Sequence, residues 1–269
     1  MSALPVVFVS HGSPMMAVEP GILGPKLQDL GQALLAAHDI KTVLVVSAHW
    51  QSGSGAVVTG QARPGVIHDF YGFPEALYAL DYDTAGSPEW ALTLKSLLTQ
   101  KGVAASITQT RGLDHGAWVP LRYLFPQADQ KVVQMALPHP LTAQQAYDLG
   151  VLLRPLRAQG VLVVGSGSLT HNLRDLGNSA HIKPYVPPFV NWIKDRVQQH
   201  AVADMVRYRA LAPHAVQAHP TEEHFMPLLV ALGASEAADA VTVIEGGTLY
   251  EALSMDGFVF GQDGTDYVN

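Results

Sequence analysis

Three histidines in this chain follow strand-like apolar runs that end in small residues. Val6-Val7-Phe8-Val9-Ser10 leads into His11, and Val43-Leu44-Val45-Val46-Ser47-Ala48 leads into His49. Val161-Leu162-Val163-Val164, followed by Gly165 to Thr170, leads into His171. In α/β proteins the carboxyl ends of buried strands form the crevice where ligands bind. The chain has no cysteine, so imidazoles meeting there would build a metal site from nitrogen and oxygen donors. That chemistry points to an enzyme rather than a scaffold. Twelve histidines against sixteen lysines and arginines is a histidine-rich balance that such a site would explain.

Each histidine also has a plainer reading. His11 precedes Gly12-Ser13-Pro14, a turn that sets an imidazole at a strand tip or simply bonds it to backbone. Small residues before His49 let a ligand approach, and Trp50 could wall a pocket; the other reading is a satisfied buried histidine. Gly165-Ser166-Gly167-Ser168 resembles a phosphate loop, but neither Gly-Lys-Ser/Thr nor Gly-x-Gly-x-x-Gly is present, so a nucleotide loop is the weaker reading. His219 and His224 stand five positions apart, which is not the zincin pair. One of them joining a distant pair stays open. Glu222 and Glu223 read as a solvated helix start or as carboxylate ligands. Ile67 to Pro74 and Leu113 to Trp118 combine aromatics with His68-Asp69 and Asp114-His115, as core packing, lid or pocket wall. His38, His139, His181, His200 and His214 read as surface residues.

The elements that would position these groups follow from periodicity and caps. Leu4–Ser10, Lys41–Ser47, Gly55–Thr59, Ala104–Gln109, Lys131–Ala136, Val161–Val164, Val241–Ile244 and Met255–Phe260 read as strands. Leu23–Ala37 carries leucines at helical spacing. Ser87-Pro88 opens a helix to about Gln100, and Thr142 caps one through Arg157. Pro187–His200 reads as a helix, and Thr221 starts another that runs to Gly233. Strands alternating with helices predict a single three-layer α/β/α domain over 1–269 around a mixed, largely parallel sheet. The polar tail 261–269 reads as disordered.

Composition narrows the partners. At 269 residues and 48% hydrophobic, the chain builds a sizeable core. A net charge of −7 without a basic stripe argues against nucleic acid. The N-terminus lacks the basic and apolar regions of a signal peptide, and no apolar run approaches the roughly 20 residues that span a bilayer. No membrane partner and a cytoplasmic location are therefore expected. Nothing specifies an oligomeric state.

The motifs His11-Gly-Ser-Pro, Ser-Ala-His49-Trp, His68-Asp-Phe-Tyr-Gly-Phe-Pro, Leu-Asp-His115-Gly-Ala-Trp, Gly-Ser-Gly-Ser-Leu-Thr-His171-Asn-Leu and Glu-Glu-His224-Phe occur in this order from about Pro5 to Met255. Together they resemble the class III extradiol ring-cleaving dioxygenases, in the DOPA-dioxygenase-type branch. The resemblance implies non-haem Fe(II), a small aromatic diol as substrate, dioxygen as co-substrate and a muconic semialdehyde as product. It implies metal ligands at His11, His49 and His224, an acid/base role or a further ligand position for His171, and a second pocket histidine at His115. Which of His171 and His115 takes the proton is left open. His219 would stand behind the ligands. More distant relatives have glutamate at the late ligand position, so the histidine here departs from the two-His-one-carboxylate triad and makes Zn(II) plausible as the bound metal. A catechol chelates through two oxygens, which requires open metal positions. Neutral imidazole near pH 7 suits removal of its proton. Two other readings are a zinc-dependent hydrolase on the same scaffold, with His171 activating water, and a binding protein without turnover. Arg111 and Arg174 read as surface arginines, with a substrate carboxylate as their alternative partner.

Overall fold

The computed structural model describes residues 3–261. Its strands, in chain order, are β1 Val6–Ser10, β2 Thr42–Ser52, β3 Ala56–Thr59, β4 Ala105–Thr108, β5 Val132–Pro138, β6 Val161–Gly167, β7 Ala240–Ile244, β8 Thr248–Leu249, β9 Leu253–Ser254 and β10 Gly257–Gly261. One sheet has the order β4-β3-β5-β2-β6-β1-β10-β7, and β8 pairs with β9 apart from it. The centre is parallel: β5 with β2, β2 with β6, and β6 with β1. Antiparallel pairs occur where β3 meets β5 and along β1, β10 and β7.

The central strands are continuous apolar runs because both faces of the sheet are covered. Val6, Phe8, Leu44, Val46 and Val163 point into one core, and Val7, Val9, Val45, Leu162 and Val164 into the other. The first core is closed by helices Pro88–Gln100, Ala143–Leu153, Val186–Gln198 and Met226–Ala234. The second is closed by Leu23–Ala37 and His115–Leu124. This is the expected three-layer α/β/α architecture. Among the described residues, no helix is long and apolar enough to cross a membrane. The tail after Gly261 lies outside the described residues.

The expected caps are present. Ser87 Oγ accepts from Trp90 N–H, and Thr142 forms a reciprocal capping box with Gln145. Three helix expectations change, and proline explains each. The helix after Thr142 ends at Leu153 and tightens to 3-10 over Arg154–Gln159. Pro155 has no N–H for the carbonyl one turn back. The last helix starts at Met226 rather than Thr221, because Pro227 cannot bond backward and residues 221–225 run as turns. His115–Leu124 is a helix that its Gly116 and Pro120 disguised; Asp114 caps it, accepting from Ala117 N–H at 3.2 Å. His200 is not a free surface residue: it is half-buried and its Nε2 lies 3.1 Å from Ser235 Oγ.

Arg157 ties the lower end of the fold together. It is 1% exposed, pairs with Asp239 at 2.8 Å, and donates to the carbonyls of Leu4 at 2.6 Å and Ala234 at 3.3 Å. Arg157→Ala leaves a buried carboxylate without its cation. We expect a loss of about 3–5 kcal/mol in urea unfolding. A loss under about 1 kcal/mol would mean that Asp239 finds water or another partner.

Candidate metal centre and substrate cavity

β1, β6 and β2 are neighbours, so their carboxyl ends bring the three strand-end histidines to one crevice. His11 follows β1 directly, and its N–H donates to the Gly167 carbonyl at the end of β6. His49 lies within β2, which runs five residues past the expected end. Val46 pairs with Met135 and Gln51 with Leu137, so residues 47–50 form a bulge against β5. Bulges re-aim side chains beside active sites, and here His49 turns to the crevice. His224 comes from the turn ahead of the Met226–Ala234 helix. Ser168 N–H donates to its carbonyl at 2.9 Å, which pins that turn to β6. Gly165 and Gly167 serve this packing: a Cβ on either would strike the backbone of Pro227 or His224. The glycines therefore hold helix to strand and do not form a phosphate loop.

Three Nε2 atoms converge. His49 Nε2 lies 2.9 Å from His11 Nε2 and 3.3 Å from His224 Nε2. The opposite nitrogens fix the tautomers. Ser166 Oγ donates to the Gly116 carbonyl, so it accepts from His11 Nδ1–H at 2.9 Å. Pro120 is the reason that carbonyl is free, because it has no N–H to bond one turn back. His224 Nδ1–H donates to Glu223 Oε1 at 3.1 Å. The Nε2 lone pairs of His11 and His224 therefore face His49 Nε2, and a divalent cation bound there satisfies all three. Ligand atoms of His11, His49 and His115 lie within 4.8 Å of one another, as do those of His171, Glu223 and His224, so the crevice offers imidazole nitrogens and one carboxylate; Glu222 is turned away and accepts from Tyr208 at 2.9 Å.

Burial keeps these rings neutral, as metal ligation requires. Burial, then neighbouring imidazoles, pushes His11 and His224 well below the usual histidine range. Burial and His115 lower His49 to about 3, against the opposing pull of Asp69. Burial lowers His171 to about 4, with Glu223 opposing it. His171 stacks on His224, with ring centroids 3.4 Å apart and planes 10° from parallel. His115 faces His49 from the other side, centroids 4.0 Å apart. Its Nδ1–H donates to Asp69 Oδ1 at 3.0 Å, and its backbone N–H to the same oxygen at 2.9 Å. Burial alone would raise the Asp69 carboxyl, but the His115 bonds hold it at about 2. Asp69 is thus an anion that holds His115 Nδ1 and leaves Nε2 for the side of His11 and His49.

The sequence placed Asp69 beside His68, whose Nε2 instead meets the Leu80 carbonyl at 3.0 Å. The true partner stands 46 positions on, a pairing that only the fold creates. Asp69→Ala should lower turnover about 10- to 100-fold with metal content unchanged, by loss of this orienting bond. Equal turnover in steady-state oxygen uptake would remove Asp69 from the machinery. Gly116 is a second residue that sequence reasoning left unassigned. A Cβ there would press on Ser47 Oγ, His49 Cδ2 and His11 Cε1.

A cavity of about 680 Å³ opens above the imidazoles, with His49, His115 and His171 in its wall. Phe70, Tyr71 and Phe73 line it, as the aromatic motif suggested. Trp50 does not; it lies under Arg111, whose guanidinium carbon is 4.7 Å from the ring centroid and which pairs with Asp114 at 3.4 Å. Arg174 is exposed and outside the lining. His219 is fully buried behind the site and donates through Nε2 to the Leu169 carbonyl at 2.8 Å, bracing the approach to His171.

Residues 5–261 match the family described as the catalytic LigB subunit of aromatic ring-opening dioxygenase. The chain is 37% identical over 230 residues to a Beta vulgaris protein named 4,5-DOPA dioxygenase extradiol, with 85% of each covered. It is 34% identical over 261 residues to an Escherichia coli K12 protein of the same name, covering 94% of this chain and 93% of that one. A crystal structure of an uncharacterized Escherichia coli K12 protein superposes with a TM-score of 0.78 at 28% identity, over 96% of this chain and 100% of the other. The chain belongs to the LigB family of class III extradiol dioxygenases, metal-dependent oxidoreductases that open an aromatic ring with dioxygen.

Proposed function

We propose that this protein cleaves a catechol beside its paired hydroxyls, with Fe(II) held by Nε2 of His11, His49 and His224 and with His171 and His115 as proton carriers. The convergence of those three Nε2 atoms at the base of the cavity carries the reading. Bound Fe(II) would acidify the catechol hydroxyls and couple the ring electronically to dioxygen. The remaining work falls to the chain. His171 is neutral and beside the ligand set, so it accepts a hydroxyl proton and returns it when the O–O bond breaks. Its stacking on His224 favours this role over ligation. His115, aimed by Asp69, offers Nε2 to the reacting oxygens. Phe70 and Phe73 keep bulk water from the ring. Both dioxygen atoms enter the product, a hydroxymuconic semialdehyde, one in its carboxylate and one in its aldehyde.

An all-imidazole set also suits Zn(II), so zinc is the expected competitor in purified protein. The zinc-hydrolase reading is not favoured, because the family and its named relatives are ring-opening dioxygenases. We take 1–269 as one catalytic domain acting in the cytoplasm. The test loads the protein anaerobically with Fe(II), adds catechol, protocatechuate or DOPA, and admits oxygen. One dioxygen consumed per ring opened, with a yellow product, is the expected outcome. No uptake across the panel at full iron occupancy would refute the reading.

A further inference from the structure

The cavity wall carries a second message, about what the ring bears. No lysine, arginine, aspartate or glutamate lines the cavity among the described residues; its only ionisable groups are the imidazoles at the base and the phenols of Tyr71 and Tyr250. Above the histidines the wall is Phe70, Phe73, Leu173, Leu176 and Leu253. The apolar character continues to the mouth, where Tyr71 is 92% exposed, Leu173 59% and Leu176 41%. Large apolar side chains left in water around one opening mark a surface built to meet an apolar ligand.

The cations nearby are already engaged or lie outside the lining. Arg111 is held over Trp50 and by Asp114. Lys183 pairs with Glu251 at 3.1 Å. Arg174 is exposed and outside the lining. The residues beyond Gly261 contain no lysine or arginine, so that segment offers no side-chain cation for a carboxylate either. A catechol ring occupies only part of about 680 Å³, which leaves room beside the apolar wall for a substituent.

We propose that the substrate is a catechol with an uncharged, largely apolar substituent, which lies against Phe70, Phe73, Leu173 and Leu176. The inference rests on the ring-cleaving reading and sets its substrate class apart from amino-acid catechols. DOPA would bring an ammonium and a carboxylate into this wall, where neither meets a lysine, arginine, aspartate or glutamate among the described residues.

The test compares kcat/KM of the iron-loaded enzyme for 4-tert-butylcatechol and 4-methylcatechol with that for protocatechuate, 3,4-dihydroxyphenylacetate, dopamine and DOPA. The neutral catechols should lead by at least about 100-fold. A second readout needs no turnover. Calorimetry on the zinc-loaded protein should show 4-tert-butylphenol binding at least about tenfold tighter than 4-hydroxyphenylacetate. Leu176→Arg should raise kcat/KM for 3,4-dihydroxyphenylacetate about tenfold or more and lower that for 4-tert-butylcatechol. Charged catechols equal to or better than neutral ones overturn the inference while the ring-cleaving reading stands. Tight neutral phenol binding with no catechol cleaved supports the inference and sinks the ring-cleaving reading instead. An unchanged profile in Leu176→Arg overturns the placement of the substituent.

Discussion

Replacing His49 with alanine removes bound metal and ring cleavage together, the latter by at least about a thousandfold. His49 is the middle of the proposed ligand set: its Nε2 lies within 3.3 Å of both His11 Nε2 and His224 Nε2. Without it two nitrogens remain, from elements on either side of the gap. Their orienting bonds to Ser166 and Glu223 stay intact. The fold should be little affected, because His49 sits on a bulge outside the regular β2–β5 register. Elemental analysis after reconstitution, circular dichroism and oxygen uptake on a catechol check the three parts. Full activity in His49→Ala would remove it from the ligand set and undo the proposed centre.

His171→Ala separates proton transfer from metal binding. We expect metal content near that of the unaltered protein and turnover reduced about 10²- to 10⁴-fold, the usual worth of a positioned acid/base group. His171 lies face to face with His224 and takes no part in the Nε2 contacts among His11, His49 and His224. Its backbone N–H is fixed by the Ala218 carbonyl at 2.8 Å, so the side chain can go while the loop remains. If the variant loses its metal as His49→Ala does, His171 is a fourth ligand and the proton carrier is His115. If it keeps both metal and turnover, His171 has neither role.

These two variants test residues that the sequence had already singled out, and the reason is local. His11, His49 and His171 follow apolar runs, and a run covered on both faces must be a central strand. Leu23–Ala37 and Pro88–Gln100 were equally legible, because leucine spacing and a Ser-Pro start are written within one turn of the helix itself. The errors are also local in cause. Pro155, Pro120 and Pro227 each remove a backbone donor, and whether that ends, tightens or merely marks a helix depends on what else meets the freed carbonyl. At Gly116 a serine from β6 meets it, so the helix continues.

The sequence by itself determined the α/β alternation, the histidines at strand ends and, through its ordered motifs, the family. The tertiary structure decided which nitrogen of each histidine faces the centre, through partners 155 positions away at Ser166 for His11 and 46 positions away at Asp69 for His115. It also decided that the arginines near the motifs stand outside the cavity lining, which among the described residues holds no lysine, arginine, aspartate or glutamate. Spacing along the chain records which residues share an element. Hydrogen bonds that fix a tautomer, and the sign of charge around a cavity, depend on groups from different elements and exist only once the sheet has brought its strand ends together.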